Sequence, residues 1–135
     1  MPWIRLSFTF GLLHQRLERE LHRQGLSIPQ LDLLVCLYRS GGLPLSQIAE
    51  RLLVTGGNVT GIVDRLEREG YVYRQRDEHD RRRIYARLTP QGERICREVL
   101  PAYERTVEQV MSALSPEERR QLTHLLRKLS REARG

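Results

Sequence analysis

Lysine is almost absent from this sequence, so its positive charge rests on arginine. Lys128 is the only lysine among 23 basic residues, which face 17 acidic residues and give a net charge of +6. The planar guanidinium group of arginine suits phosphate oxygens and guanine edges. A polyanionic partner such as nucleic acid would explain this composition, and so would genomic base composition or adaptation to heat. The placement of the charge along the chain has to separate these explanations.

Other scarce features exclude further classes of protein. Two cysteines are too few for a disulfide framework. Cys36 lies in the apolar run 33–37, which predicts a reduced, buried thiol, and Cys96 is interpreted as a structural thiol. No run of about 18 apolar residues predicts a transmembrane helix. The start of the chain carries Arg5 and lacks the small-residue cleavage site of a signal peptide. We therefore expect a cytoplasmic protein.

The residue patterns of an enzyme are also missing. We find no nucleophile–base pair, and Gly56 and Gly57 lack the downstream lysine of a phosphate-binding loop. The histidines show no metal-ligand spacing with one another or with either cysteine; they are His14, His22, His79 and His124. The sequence therefore predicts no catalytic residues, no metal and no cofactor.

Apolar periodicity and capping signals predict one domain of 135 residues in the order α-α-α-α-β-β-α-α. Helices are expected over 3–23, from Ser27 to Gly41, over 44–52, from Thr55 to about Glu69, and from Thr89 and Ser115 onward. Ser27 with Gln30 and Ser115 with Glu118 have the spacing of capping boxes, and Ala49 is expected to face inward. Pro101 should bend or weaken the fifth helix. The β-favouring runs 71–73 and 84–88 flank a polar loop and predict a hairpin. The fold class is mainly α with a small β-hairpin (α+β).

Two short helices, a tight turn and a β-hairpin make the plan of a winged helix-turn-helix. The second helix begins with glycines and short polar residues, which would allow close approach to a major groove; a frayed helix start is the alternative. Asn58 can read adenine and Thr60 can contact a base or a thymine methyl. Arg65 and Arg68 would reach phosphates or guanine. The residues of this helix that we expect at DNA are Thr55, Gly57, Asn58, Thr60, Gly61, Arg65 and Arg68.

The hairpin, or wing, is strongly basic. From Arg74 to Arg87 there are six arginines and three acidic residues. Such a run is often only a solvated face, but an arginine at a hairpin tip also suits a narrow minor groove. Arg82 is the candidate for that groove, and Asp80 could hold its guanidinium by a bidentate pair. Arg81 and Arg83 are expected at phosphates.

Several short motifs in this order resemble the MarR family (multiple antibiotic resistance regulators) over essentially the whole chain. They are GLS at 25–27 followed by Gln30, LSQIA at 45–49, VDRLEREGYV at 63–72, DRR at 80–82, LTPQG at 88–92 and SPEER at 115–119. The resemblance implies a homodimer in which residues 1–25 and 90–135 form the dimerisation helices. It implies a DNA-binding lobe over 29–89.

The same resemblance implies that recognition helices enter successive major grooves of a pseudo-palindromic operator. Arg82 would then enter the minor groove and Asp80 would orient it. Half-sites about one helical turn apart would follow from two-fold symmetry. Members of the family are usually repressors released by a small ligand or by oxidation. The glycine-rich start of the recognition helix departs from the family pattern and leaves the operator sequence open.

A pocket for a small effector is a further expectation. His14, Arg16, Tyr38 and Tyr103 are amphipathic or polar candidates to line it, although core packing and solvation explain them equally well. The main alternative function is a winged helix that binds only protein. Such a module would usually lack a net positive wing, whereas DNA binding must weaken steeply with salt.

Overall fold

The structure, a computed structural model, describes residues 1–52 and 58–135. The helices are α1 (Pro2–His22), α2 (Ile28–Ser40), α3 (Leu45–Arg51), α4 (Val59–Arg68), α5 (Pro90–Met111) and α6 (Pro116–Arg134). The strands are β1 (Leu43–Pro44), β2 (Val72–Arg76) and β3 (Ile84–Leu88). The chain forms two compact units, Met1–Tyr103 and Glu104–Gly135. The expected mainly helical fold with a small β-hairpin is confirmed.

A leucine-rich core fills the first unit, and α2 lies at its centre. Burying one such side chain stabilises the fold by about 1.5–3 kcal/mol, so this core fixes α4 and the sheet around α2. The side chains with almost no exposure are Leu21, Leu31, Leu33, Leu34, Leu37, Ile48, Val63, Leu66, Val72 and Cys96.

The predicted boundaries of α2 are confirmed. The hydroxyl of Ser27 accepts a hydrogen bond from the backbone N–H of Gln30 at 3.3 Å, and the backbone N–H of Ser27 donates to Oε1 of Gln30 at 3.0 Å. This capping box satisfies two amide groups that the first turn leaves without helical partners. Gly41 ends the helix with a φ of 78°, a left-handed conformation that glycine adopts without a steric penalty.

The predicted hairpin is confirmed, and a third strand that the sequence did not predict joins it. β3 pairs antiparallel with β2 on one side, from Val72 opposite Leu88 to Arg76 opposite Ile84. On its other side β3 pairs with the two-residue β1, where Leu43 lies opposite Ala86. The sheet therefore has the order β1-β3-β2. β1 ties the segment before α3 to the base of the wing.

Two sequence expectations around the helix-turn-helix are wrong. A helix running unbroken from Thr55 is excluded by Asn58, whose extended backbone precedes the first residue of α4. Asn58 is the N-cap, because its Oδ1 accepts a hydrogen bond from the backbone N–H of Gly61 at 3.3 Å. The Thr55 cap itself lies outside the described residues. Ala49, expected to face inward, is exposed.

The second unit contains the last turns of α5 and the whole of α6. Ser115 and Glu118 form the predicted capping box of α6. Arg119 pairs with Glu108 at 2.9 Å and donates from Nε to the backbone carbonyl of Met111 at 3.0 Å, which closes the end of α5. Within the described residues, no α6 side chain is buried, and its leucines are solvent-exposed.

α5 continues through Pro101, which lies inside the helix with an exposed side chain. The bend or weakening expected there stays a prediction, as does the assignment of 1–135 to a single domain. Across residues 1–52 and 58–135, we find no helix with the length and apolar character needed to cross a membrane.

Candidate nucleic-acid interface

The recognition-helix candidate α4 has one buried face and one exposed face. Val63 and Leu66 are fully buried, and this anchors the helix by apolar contacts three residues apart. Because these anchors fix the rotation of the helix, its short polar and basic side chains face outward. The predicted DNA-contacting residues that are exposed here are Asn58, Thr60, Gly61, Arg65 and Arg68. Thr55 and Gly57 lie outside the described residues.

The glycine at position 61 is not required by packing. Among residues 1–52 and 58–135, the atoms nearest to a Cβ placed there belong to the Asn58 side chain, at 3.6 Å or more, which is ordinary van der Waals contact. Glycine within a helix costs about 1 kcal/mol relative to alanine. No packing contact described here compensates for the lower helix stability that Gly61 causes. A backbone without a side chain would, however, allow a ligand to approach the helix closely.

Two aspartates shape the tip of the wing. Oδ1 of Asp77 accepts a hydrogen bond from the backbone N–H of His79 at 2.9 Å, and this bond holds the pKa of Asp77 below its usual value. Oδ1 of Asp80 accepts from the backbone N–H of Arg82 at 3.1 Å, and the Asp80 carbonyl accepts from the N–H of Arg83 at 2.9 Å. The turn is thus built by aspartate side chains that accept from local backbone groups.

The three consecutive arginines at the tip are presented to solvent. Arg82 has 94% of its side chain exposed, and Arg81 and Arg83 are exposed as well. Asp80 contacts the guanidinium of Arg82 only through Nε, at 3.4 Å. The expected bidentate pair is therefore wrong: the contact is a single one, made by the same Oδ1 that accepts from the backbone N–H of Arg82. The guanidinium of Arg82 has five N–H donors, and this contact uses only the one on Nε.

The arginines at the base of the wing have internal partners. Arg74 pairs with Asp64 at 2.6 Å and with Glu67 at 2.9 Å, both on α4. Sequence reasoning counted it with the basic run and missed this role. The pattern of acids at 64 and 67, on one helix face, was the available signal.

Arg87 is a second internal arginine. It donates from Nε to Gln75 at 2.6 Å and from Nη1 to the carbonyl of Gly41 at 2.9 Å, and it lies over the ring of Tyr85. These contacts fasten β3 to the end of α2. Arg76 donates to the carbonyl of Arg81 across the hairpin. The charge directed outward is therefore concentrated at 81–83.

Two of the four effector-pocket candidates share a neighbourhood. Asp32 on α2 is half-buried; burial raises its pKa and the nearby His14 opposes that rise. The Tyr103 hydroxyl is affected in turn: burial raises its pKa, and the carboxylate of Asp32 adds to the rise. His14 also pairs with Glu18 at 3.2 Å. His14 and Tyr103 therefore both interact electrostatically with one carboxyl group.

Of the other two candidates, Tyr38 lies at a different place. Tyr38 is 41% exposed and lines a separate hollow with Gly41, Leu88 and Arg97. Arg16 is an exposed residue of α1. An open groove of about 840 Å³ lies between α1 and the start of α2, and its lining residues include none of the four candidates.

The cysteines differ in burial. Cys96 is fully buried and donates to the carbonyl of Leu34 at 3.7 Å, and burial raises the pKa of its thiol to about 11. Cys36, expected to be buried, is only partly so, and burial still raises its pKa. Both shifts disfavour the reactive thiolate. In the part of the chain that the structure describes, no three His, Cys, Asp or Glu side chains are grouped to hold a metal ion.

Comparison with known proteins supports the same interpretation. The sequence model of the MarR family matches residues 26–84. The uncharacterised HTH-type transcriptional regulator YkoM of Bacillus subtilis is 37% identical over 82% of this chain and 71% of its own length. The HTH-type transcriptional repressor MdtR of Bacillus subtilis is 32% identical over 96% of this chain and 84% of its own.

A solved structure extends the similarity to three dimensions. Sco3205 of Streptomyces coelicolor, a MarR family transcriptional regulator crystallised in complex with DNA, is 28% identical, with a TM-score of 0.85 over 95% of this chain and 82% of that one. Sequence motifs, the helix-turn-helix with its wing, and these relatives agree: this chain belongs to the MarR family.

Proposed function

We propose that this chain is a sequence-specific double-stranded DNA-binding regulator, acting as a homodimeric repressor on a pseudo-palindromic operator. The observation that carries the proposal is the exposure of Arg81, Arg82 and Arg83 on the tip of a wing whose base is bonded to α4. A helix anchored by one face can enter a major groove while a hairpin arginine enters the adjoining minor groove. Sco3205 supports DNA as the partner, and the name of MdtR supports repression.

The division of labour among the arginines strengthens this proposal over a solvated basic face. Arg74 and Arg87 have internal partners, whereas the tip residues 81–83 are turned outward. Asp77 and Asp80 would repel phosphate if their charges were unopposed, but each accepts backbone hydrogen bonds that shape the turn. Asp77 and Asp80 thus serve the structure of the wing, and the three consecutive side chains exposed at its tip are positive.

Unpartnered apolar side chains support the homodimer. α1 exposes Trp3, Ile4, Phe8 and Phe10 among its larger apolar residues, and α6 separately exposes Leu122, Leu125, Leu126 and Leu129. Exposed apolar patches of this extent are typical of interaction surfaces. A second copy of the chain would cover them and would supply a second α4 and wing. Two-fold symmetry then gives half-sites about one helical turn apart.

Release by a small molecule is the regulatory part of the proposal. Asp32 interacts electrostatically with His14 and with Tyr103, and the three side chains offer groups that donate and accept hydrogen bonds in a half-buried setting. Arg16 and Tyr38 stay predictions as pocket residues. The chain has no enzymatic role in this proposal, because the relatives are transcriptional regulators. Its place of action is the cytoplasm, where it would bind a duplex operator.

Selection of bound sites from random duplex DNA tests the function directly. A two-fold symmetric consensus is expected, with affinity that falls steeply as salt increases because phosphate contacts release counterions. A winged helix that binds only protein would enrich no sequence. Enrichment of a DNA sequence without two-fold symmetry would overturn recognition of the operator by a homodimer, but it would still support DNA binding.

A further inference from the structure

An ion-pair triad joins the recognition helix to the wing. The guanidinium of Arg74 on β2 contacts Oδ1 of Asp64 at 2.6 Å and Oε1 of Glu67 at 2.9 Å. The second oxygen of Glu67 accepts the backbone N–H of Arg74 at 3.1 Å. Arg74 has 24% of its side chain exposed, the least of any arginine in the ion pairs described here. One side chain thus bonds two carboxylates of α4 and fixes the strand beside them.

The local fold explains why these three residues meet. Asp64 and Glu67 are three residues apart, so they share a face of α4. The chain then turns at Gly70, whose φ is 83°, and enters β2. Val72 and Arg74 are two residues apart and share one face of the strand. Val72 is buried in the core, so Arg74 is turned toward α4 as well.

The triad changes the electrostatics of the surface that meets DNA. Asp64 and Glu67 lie on the exposed side of α4 among Thr60, Arg65 and Arg68. Unpaired carboxylates there would repel phosphates and would reduce the attraction from the neighbouring arginines. Arg74 opposes both charges at contact distance. Its own donors are directed to these carboxylates instead of outward like those of Arg82.

We propose that Arg74 is a positioning residue for DNA recognition, which sets the wing against α4 and masks the charges of Asp64 and Glu67. In this arrangement the basic side chains of α4 and Arg82 of the wing engage one half-site together. A loose wing could still meet phosphates, but it would lose register with the bases read by α4. The inference rests on the proposed function. It assigns the triad a role in discriminating between DNA sequences and not in the non-specific electrostatic attraction to DNA.

The decisive variant is the double substitution Asp64→Asn and Glu67→Gln in the full-length chain, which removes both charges and keeps the side-chain shapes. Its matched control is Glu50→Gln with Glu78→Gln, which adds the same charge at two exposed acids without ion pairs in the described part of the chain. Affinity is measured by equilibrium titration against the selected consensus duplex and a scrambled duplex of equal length, at several salt concentrations.

Opposite outcomes follow from positioning and from simple electrostatics. Both variants should bind the scrambled duplex more tightly, because negative charge is removed. If Arg74 positions the wing, the D64N/E67Q variant loses about tenfold or more in the ratio of consensus to scrambled affinity, whereas the control keeps it. Arg74→Lys should give an intermediate ratio, because an ammonium lacks the fork that bonds two carboxylates.

The contrary results are equally clear. If the ratio of consensus to scrambled affinity for D64N/E67Q equals or exceeds that of the control, the inference is overturned. Arg74 would then be a phosphate ligand whose access to DNA the two acids restrict. Thermal melting of each variant shows whether a lost ratio comes from unfolding, and a matched melting temperature keeps the comparison valid. A wild-type chain that binds neither duplex would overturn the proposed function, and this inference with it.

Discussion

The Thr89 hydroxyl donates a hydrogen bond of 2.6 Å to the backbone carbonyl of Gly70, across the two ends of the hairpin. The same hydroxyl accepts from the backbone N–H of Gly92 at 3.0 Å and so caps the start of α5. The backbone N–H of Thr89 donates to the carbonyl of Tyr71 at 3.0 Å. One residue therefore joins the exit of α4, the base of the wing and the start of α5.

Gly92→Ala should destabilise this junction. An added Cβ would overlap with the carbonyl oxygen of Tyr71 and lie 3.0 Å from its carbonyl carbon. Because backbone atoms cannot move aside cheaply, we expect a loss of about 1–3 kcal/mol in the free energy of unfolding. Gly61→Ala is the control, because its Cβ meets only ordinary contacts; it should gain about 1 kcal/mol. Chemical denaturation measures both, and equal stability of the two variants would contradict the prediction.

Asn58 is expected to act mainly as a helix cap. Asn58→Ala should cost about 0.5–2 kcal/mol of stability, because the backbone N–H of Gly61 loses its acceptor. Asn58→Ser keeps an acceptor at the cap and removes the amide that could read adenine. We expect Asn58→Ser to unfold like the wild type and to retain the selected consensus. A consensus that changes at a single adenine would instead give Asn58 a reading role.

The sequence was sufficient for the elements whose signals are local. The Ser27 and Ser115 capping boxes, the hairpin and the basic wing were predicted and are confirmed, because each depends on residues a few positions apart. β1 was not predicted, because a two-residue strand that ends in Pro44 has no alternation of its own. The start of α4 was misplaced because Thr55 and Asn58 are both good caps.

The geometry of the site depends on tertiary contacts, and the sequence does not show which of several similar residues makes each contact. Arg74 and Arg82 are alike in the sequence, yet one bonds α4 and the other faces solvent. Arg74 shares a face of β2 with the buried Val72, whereas Arg82 lies in the turn between β2 and β3. Tyr38 and Tyr103 were grouped by residue type alone; Tyr38 lines a hollow with Gly41 and Arg97, whereas burial and the Asp32 carboxylate raise the pKa of Tyr103.

Arg82→Ala should weaken binding to the consensus duplex by about 1–3 kcal/mol, because its exposed guanidinium would leave the minor groove. Arg81→Ala is the matched control, since it removes the same charge from the adjacent position. A phosphate contact by Arg81 should weaken binding to all duplexes alike and reduce the salt slope by about 1. Titration at several salt concentrations separates the two. Unchanged consensus affinity for the Arg82 variant would exclude the minor-groove role.

The thiol of Cys96 should be unreactive toward thiol reagents in the folded protein. With a pKa of about 11, only about one thiol in a thousand is ionised at pH 8. The unfolded thiol ionises near its ordinary value of 9.0 while the folded one keeps its proton, so stability should fall as pH rises from 9 to 11. Cys96→Ala should reduce this alkaline loss relative to Cys36→Ala. Rapid labelling of native Cys96 by a thiol reagent would contradict the assignment.

Removal of residues 116–135 should convert a dimer into monomer or aggregate, because it removes the exposed leucines of α6. A sharper variant is Leu125→Glu with Leu129→Glu, which keeps the helix and places charge where a partner would bury apolar surface. Arg120→Glu on the same helix is the control for added negative charge. Sedimentation should show the double variant as a folded monomer with weakened operator binding, because one lobe alone spans one half-site. An intact dimer after either change would assign the interface to other elements of the chain.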